Sequence, residues 1–127
     1  MTQQGSILLI DDHPRFGQLF GLFVRQTAYG KMTFRAVQSL ADGLAAIESD
    51  APDIIFLDNF LVEHAGFEIP LKTIRTITRA PVILVSGSDL SELGYDDVPE
   101  ELDGYVSKTD LSAAAIESAM RSVLDPD

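Results

Sequence analysis

Three carboxylates, a hydroxyl and an ammonium group stand at the ends of short apolar runs in this chain. Asp11 and Asp12 follow Ser6-Ile7-Leu8-Leu9-Ile10, and Asp58 ends Asp53-Ile54-Ile55-Phe56-Leu57. Ser86 ends Val82-Ile83-Leu84-Val85, and Lys108 follows Gly104-Tyr105-Val106-Ser107. Three acids brought together repel one another, so they take up protons or share a cation. Hard oxygen ligands at close quarters suit Mg²⁺, which keeps some of its waters and accepts phosphate oxygens as further ligands. The chemistry this set could do is metal-assisted phosphoryl transfer. Taken singly, each residue has a plainer account: Asp11-Asp12 as a solvated turn with a helix cap, Ser86-Gly87 as a turn, Lys108 as a surface lysine. The conjunction favours a site, because all of them fall at the carboxyl ends of expected strands.

Those strands are legible as continuous apolar runs without alternation, the pattern of a strand covered on both faces. After Pro14, suited to a helix first turn, Phe16, Leu19, Phe20, Phe23 and Val24 recur at helical spacing, predicting a helix to about Ala28. Thr33–Val37 reads as the second strand, and Ser39 caps a helix with a Leu40, Leu44 and Ile47 stripe ending near Ser49. Gly66 closes the loop after the third strand, and a helix carrying Ile74 and Ile77 runs to about Arg79 with Pro70 in its first turn. Between Asp89 and Asp103, Leu90 and Leu93 predict one short helix, weakened by Gly94 and ended by Pro99. A fifth strand precedes Asp110, a possible cap, and a last helix with Ile116, Met120 and Val123. Five strands each followed by a helix fold, by right-handed crossovers, into a parallel sheet with helices on both faces. The fold class is doubly wound α/β, where ligands sit outside the carboxyl ends of the strands.

At 127 residues, with 46% apolar and 23% charged content, the chain fits one globular domain. Nine Lys plus Arg against twenty Asp plus Glu give a net charge of −11, which repels phosphate backbones and anionic membranes. Direct nucleic-acid and membrane binding are therefore not expected. The absence of cysteine removes disulfides, thiol nucleophiles and Cys-ligated zinc. The apolar runs are too short to span a bilayer and Met1–Ser6 is polar, so a cytoplasmic location is expected.

The elements Leu8-Leu9-Ile10-Asp11-Asp12-His13-Pro14, Ile54–Asp58, Val82–Gly87 and Gly104–Lys108 together resemble the receiver domain of two-component response regulators, along essentially the whole chain. The resemblance implies a flavodoxin-like (βα)5 sheet of order 2-1-3-4-5, with Asp58 phosphorylated by a histidine kinase or histidine phosphotransfer protein. It also implies Mg²⁺ held by Asp12 directly, Asp11 partly through water, Asp58, and the Phe60 backbone carbonyl. Lys108 and Ser86 then contact the phosphoryl oxygens. Ser86 and Tyr105 form the switch, and the fourth helix, fifth strand and fifth helix form the output surface that controls a downstream protein. Tyr105 reads equally well as a half-buried strand residue.

Some positions depart from the resemblance. Val62 and Thr109 stand where receivers usually carry proline, which puts a cis peptide at Lys108-Thr109 in doubt. Phe60 is apolar where many receivers are polar, so it is expected to shield the acyl phosphate from water. Seven acids and no Lys or Arg lie between Asp89 and Asp103, a solvated face or a contact for a basic partner. His13 and His64 read as turn and loop residues rather than metal ligands. Gly17 and Gly21, four apart, allow close packing of the first helix. A receiver over residues 6 to about 124, with short tails 1–5 and 125–127, is expected to act alone by protein contact or relay rather than as an enzyme. The competing readings are a receiver-like module that is not phosphorylated and a phosphatase of the haloacid-dehalogenase type. The latter needs an Asp-x-Asp pattern on its first strand, which Asp11-Asp12-His13 lacks.

Overall fold

A computed structural model describes residues 5–61 and 64–126, with the side chains of residues 60, 61, 64 and 65 outside that description. In chain order the elements are β1 (Ser6–Ile10), α1 (Pro14–Gln26), β2 (Thr33–Val37), α2 (Leu40–Ser49), β3 (Ile54–Asp58), β4 (Phe60–Leu61), β5 (His64–Ala65), α3 (Glu68–Arg75), β6 (Val82–Ser86), β7 (Gly104–Ser107) and α4 (Ala113–Leu124). Five parallel strands form one sheet in the order β2-β1-β3-β6-β7, which is 2-1-3-4-5 when only its own strands are counted. β4 and β5 form a separate antiparallel hairpin directly after β3.

Every residue of β1, β3 and β6 is buried. The period-two alternation of a strand explains how both faces are used. Leu8, Ile10, Ile55, Leu57 and Leu84 pack on the side of α2 and α3, while Ile7, Leu9, Phe56, Ile83 and Val85 pack on the side of α1 and α4. On the second side Phe20 of α1 meets the rings of Phe56 at 4.8 Å and Phe34 at 5.9 Å. Close approach of α1 to the sheet needs small residues: a Cβ on Gly21 would stand 3.0 Å from the Phe34 ring, and one on Gly17 3.1 Å from Ala36 Cβ.

The helix starts follow local chemistry. Pro14 opens α1, and Ser39 Oγ accepts from Asp42 N at 3.0 Å to cap α2. The cap of α4 is Ser112 rather than Asp110, its Oγ accepting from Ala115 N at 3.0 Å. The third helix stops at Arg75, short of the expected Arg79. Beyond it lies Thr76-Ile77-Thr78, a β-branched run with low helix propensity, and the Thr76 hydroxyl donates back to the Thr73 carbonyl at 2.6 Å.

The helix expected between Asp89 and Pro99 is not formed, so the described residues contain four helices and the sheet lacks a helix between β6 and β7. Start and stop signals stand too close together. Glu92 Oε1 accepts from Asp89 N at 2.7 Å, as in a capping box, and Leu93 N donates to Asp89 O at 3.1 Å. Gly94 then adopts φ 95°, and Tyr95 N donates to Leu90 O at 2.9 Å, the closing bond of a Schellman stop. One turn remains. Leu102 is buried further on, and Asp103 Oδ2 accepts from Val82 N at 2.8 Å and pairs with Arg75 at 2.9 Å, holding the segment to the sheet.

The loop after α1 is tied to α4 by two acids. Glu117 Oε1 accepts from Ala28 N at 2.8 Å, and the Tyr29 hydroxyl donates to Asp125 Oδ2 at 2.5 Å. Burial, then the Asp125 hydrogen bond and charge, raise the Tyr29 pKa. A folded-state pKa above the unfolded one favours the protonated phenol, so this contribution is complete below about pH 10 and is lost as pH rises through the folded value. Denaturant unfolding at intervals from about pH 8 to pH 11 is expected to show a smaller alkaline loss of stability in Tyr29→Phe than in wild type. Identical pH dependences would mean the phenol carries no such linkage.

Candidate functional site

Because the five strands are parallel, their carboxyl ends share one edge. Asp58 is the last residue of β3 and pairs in register with Val85, while Ser86 pairs with Ser107. Lys108 follows at the end of β7, its N–H donating to the Ser86 carbonyl at 2.8 Å. Asp11 lies one residue beyond β1, its N–H donating to Val37 O at 3.0 Å. Register alone therefore brings the acids, the hydroxyl and the ammonium to one place.

Lys108 Nζ stands 2.9 Å from Asp11 Oδ2 and 3.3 Å from Asp58 Oδ1, and both acids are almost completely buried. Burial pulls the Lys108 pKa down, but the Asp11 hydrogen bond and the charges of Asp58 and Asp11 outweigh it and leave the net value raised. The ammonium is thus held charged between two carboxylates. It also sits 4.4 Å from the centroid of Phe16, a cation–π contact from the first turn of α1.

Ligand atoms of Asp11, Asp12, His13 and Asp58 lie within 4.8 Å of one another. Asp11 Oδ2 and Asp12 Oδ1 are buried, and the partner of each is a group that carries or can take up positive charge: Lys108 Nζ at 2.9 Å from the first and His13 Nδ1 at 2.9 Å from the second. Three carboxylates this close, two of them buried, carry more negative charge than the one ammonium between them offsets, and hard oxygen ligands of that kind fit a divalent cation. Phe60 opens β4 two residues after Asp58, its backbone paired with Ala65. Its side chain, Val62 and the His64 side chain fall outside the described residues, as does the expected shielding by Phe60.

Ser86 is buried, and its Oγ accepts from Ser88 N at 3.0 Å. The Tyr105 hydroxyl donates to the carbonyl of the same Ser88 at 2.6 Å. Tyr105 is half-buried, and burial is the main cause that raises its pKa, aided by the charges of Asp89, Glu92 and Asp110. No cis peptide occurs among the described residues, Lys108-Thr109 included.

Two residues near the site were not assigned to it from sequence. His13 reads as a turn residue because no second nitrogen ligand stands near it, yet its position beside two acids was a usable signal. Phe16 reads as part of the apolar stripe of α1; nothing local indicates that a lysine 92 positions further on lies over its ring.

A family profile for the response regulator receiver domain matches residues 7–120. The chain belongs to that family, a class of two-component signalling domains. Its fold is shared by a two-component response regulator from Clostridium difficile, at 20% identity and TM-score 0.81 over 96% of this chain and 97% of that one. A CheY-like receiver domain from Methylobacillus flagellatus matches at 20% identity and TM-score 0.76, covering 94% of this chain and 98% of its own. The phosphorylated cyanobacterial phytochrome response regulator RcpA matches at 17% identity and TM-score 0.76, covering 98% and 96%. Among the described residues no helix is long and apolar enough to cross a membrane.

Proposed function

We propose that Asp58 is the phosphoacceptor of a cytoplasmic two-component or phosphorelay pathway, taking its phosphoryl group from a histidine kinase or histidine phosphotransfer protein. The observation that carries this reading is the Lys108 ammonium lodged 2.9 Å from Asp11 and 3.3 Å from Asp58 beside a third acid. In the transfer, an Asp58 carboxylate oxygen forms the new bond to phosphorus while the phosphorus–nitrogen bond of the donor phosphohistidine breaks. The leaving imidazole keeps the electron pair and takes up a proton. The carboxylate is ionised at neutral pH, so the obstacle is repulsion of the incoming anion rather than proton removal. Asp11, Asp12, Asp58 and the Phe60 carbonyl would hold Mg²⁺, which when bound neutralises charge on the phosphoryl oxygens. Lys108 follows the same charge from its place between the acids, and the Ser86 hydroxyl, which accepts from Ser88 N, retains its own proton to donate.

Ser88 supports the switch reading. Its N–H is bonded to Ser86 and its carbonyl to Tyr105, so a pull on Ser86 shifts the peptide that anchors the tyrosine ring. The face altered is the 89–103 segment with β7 and α4. Seven acids without a Lys or Arg in that segment favour a protein partner with a basic contact patch. Incubation with Mg²⁺ and acetyl phosphate, followed by intact-mass measurement, is expected to show the gain of one phosphoryl group. An unchanged mass over a range of donor concentrations would leave the non-phosphorylated module as the better reading.

A further inference from the structure

Among the described residues, His13 is a group beside the acids that the phosphoacceptor reading leaves unused. Its amide N–H donates to Asp11 Oδ1 at 2.8 Å, which fixes the loop between β1 and α1. As the N-cap residue of α1 it makes no side-chain cap bond. The imidazole is instead turned onto the acids, with Nδ1 3.1 Å from Asp11 Oδ1 and 2.9 Å from Asp12 Oδ1. Burial does not force this pose, since 66% of the side chain is exposed. Two donors in adjacent positions on an octahedral ion, each about 2.1 Å from it, stand about 3.0 Å apart. The two observed spacings, which are equally those of a hydrogen bond from the ring, match that figure, so with its Nδ1 proton displaced the imidazole can face one ion together with the two carboxylates.

We propose that His13 Nδ1 is a nitrogen donor of the metal site at Asp11, Asp12 and Asp58, tuning it toward Co²⁺ and Zn²⁺ relative to Mg²⁺. The proposal rests on the reading of those acids as a cation site. Imidazole suits the later divalent metals, whereas Mg²⁺ prefers oxygen and sheds its waters reluctantly. Loss of the nitrogen therefore weakens the transition ions and leaves Mg²⁺ nearly untouched.

The test uses the tag-free chain of 127 residues. Loaded with Mn²⁺, it is expected to show electron spin-echo modulation from an imidazole nitrogen. The chain has two histidines, so the source can be assigned: the signal should persist in His64→Ala and vanish in His13→Ala. Titration calorimetry should find Co²⁺ and Zn²⁺ bound about ten-fold or more weakly by His13→Ala. Its Mg²⁺ affinity should stay within about two-fold, which also shows that the variant is folded. Bound Mn²⁺ without nitrogen modulation, or modulation that follows His64, would overturn the proposal and leave the acidic Mg²⁺ site standing. Failure of both Mg²⁺ and Mn²⁺ to bind would overturn the cation site itself.

Discussion

Asp58→Asn is expected to gain no phosphoryl group under conditions that load the wild-type chain. The amide keeps the shape of the buried side chain but lacks an ionised oxygen to attack phosphorus. Asp11 and Asp12 are poor substitutes: Lys108 occupies one at 2.9 Å and His13 the other at 2.9 Å, and both stand on the loop after β1 rather than at the end of β3. Misfolding is not a competing explanation, because removal of one of three neighbouring negative charges relieves repulsion. The variant should thus unfold at the same or a higher denaturant concentration than wild type. Intact-mass and denaturant measurements on one preparation read both effects, and undiminished labelling would place the acceptor elsewhere.

Lys108→Met should slow phosphoryl uptake by about 10²- to 10³-fold, the usual effect of removing one charge-stabilising donor from a transition state. Methionine keeps a long flexible stem and makes its own favourable contact with the Phe16 ring, so packing changes little. What disappears is the ammonium 3.3 Å from Asp58, leaving the acids to face an incoming anion without their cation. Lys108→Arg is not expected to restore the rate, because a planar fork does not fit the place of a compact ammonium between two carboxylates. A mass-gain time course distinguishes the cases. Wild-type rates in Lys108→Met would reduce the lysine to a partner that neutralises Asp11.

The placement of the candidate site residues was legible where strand order and register do the positioning. Once Ile7–Ile10, Ile54–Leu57 and Val82–Val85 are read as buried parallel strands, Asp11, Asp58 and Ser86 have one edge to occupy, and the structure puts them there. Lys108 follows by the same logic. Residues whose role depends on side-chain direction were harder. His13 and Phe16 come to stand beside the candidate site residues through a rotamer and a ring face, and neither leaves a periodic signal.

The sequence by itself determined the sheet, the two-sided core and the edge that carries the acids, because each follows from runs of apolar residues that have few other ways to leave water. Tertiary structure decided the rest. It anchors the 89–103 segment to the sheet through Leu102 and Asp103, after a capping start and a glycine stop within six residues have limited Asp89–Gly94 to a single turn. It also set Lys108 between Asp11 and Asp58 and over the Phe16 ring, whereas the Ser112 cap and the His13 contacts are made between near neighbours in the chain. Local signals set which elements form and where they end; contacts between residues distant in the chain set which side chains meet across the sheet edge.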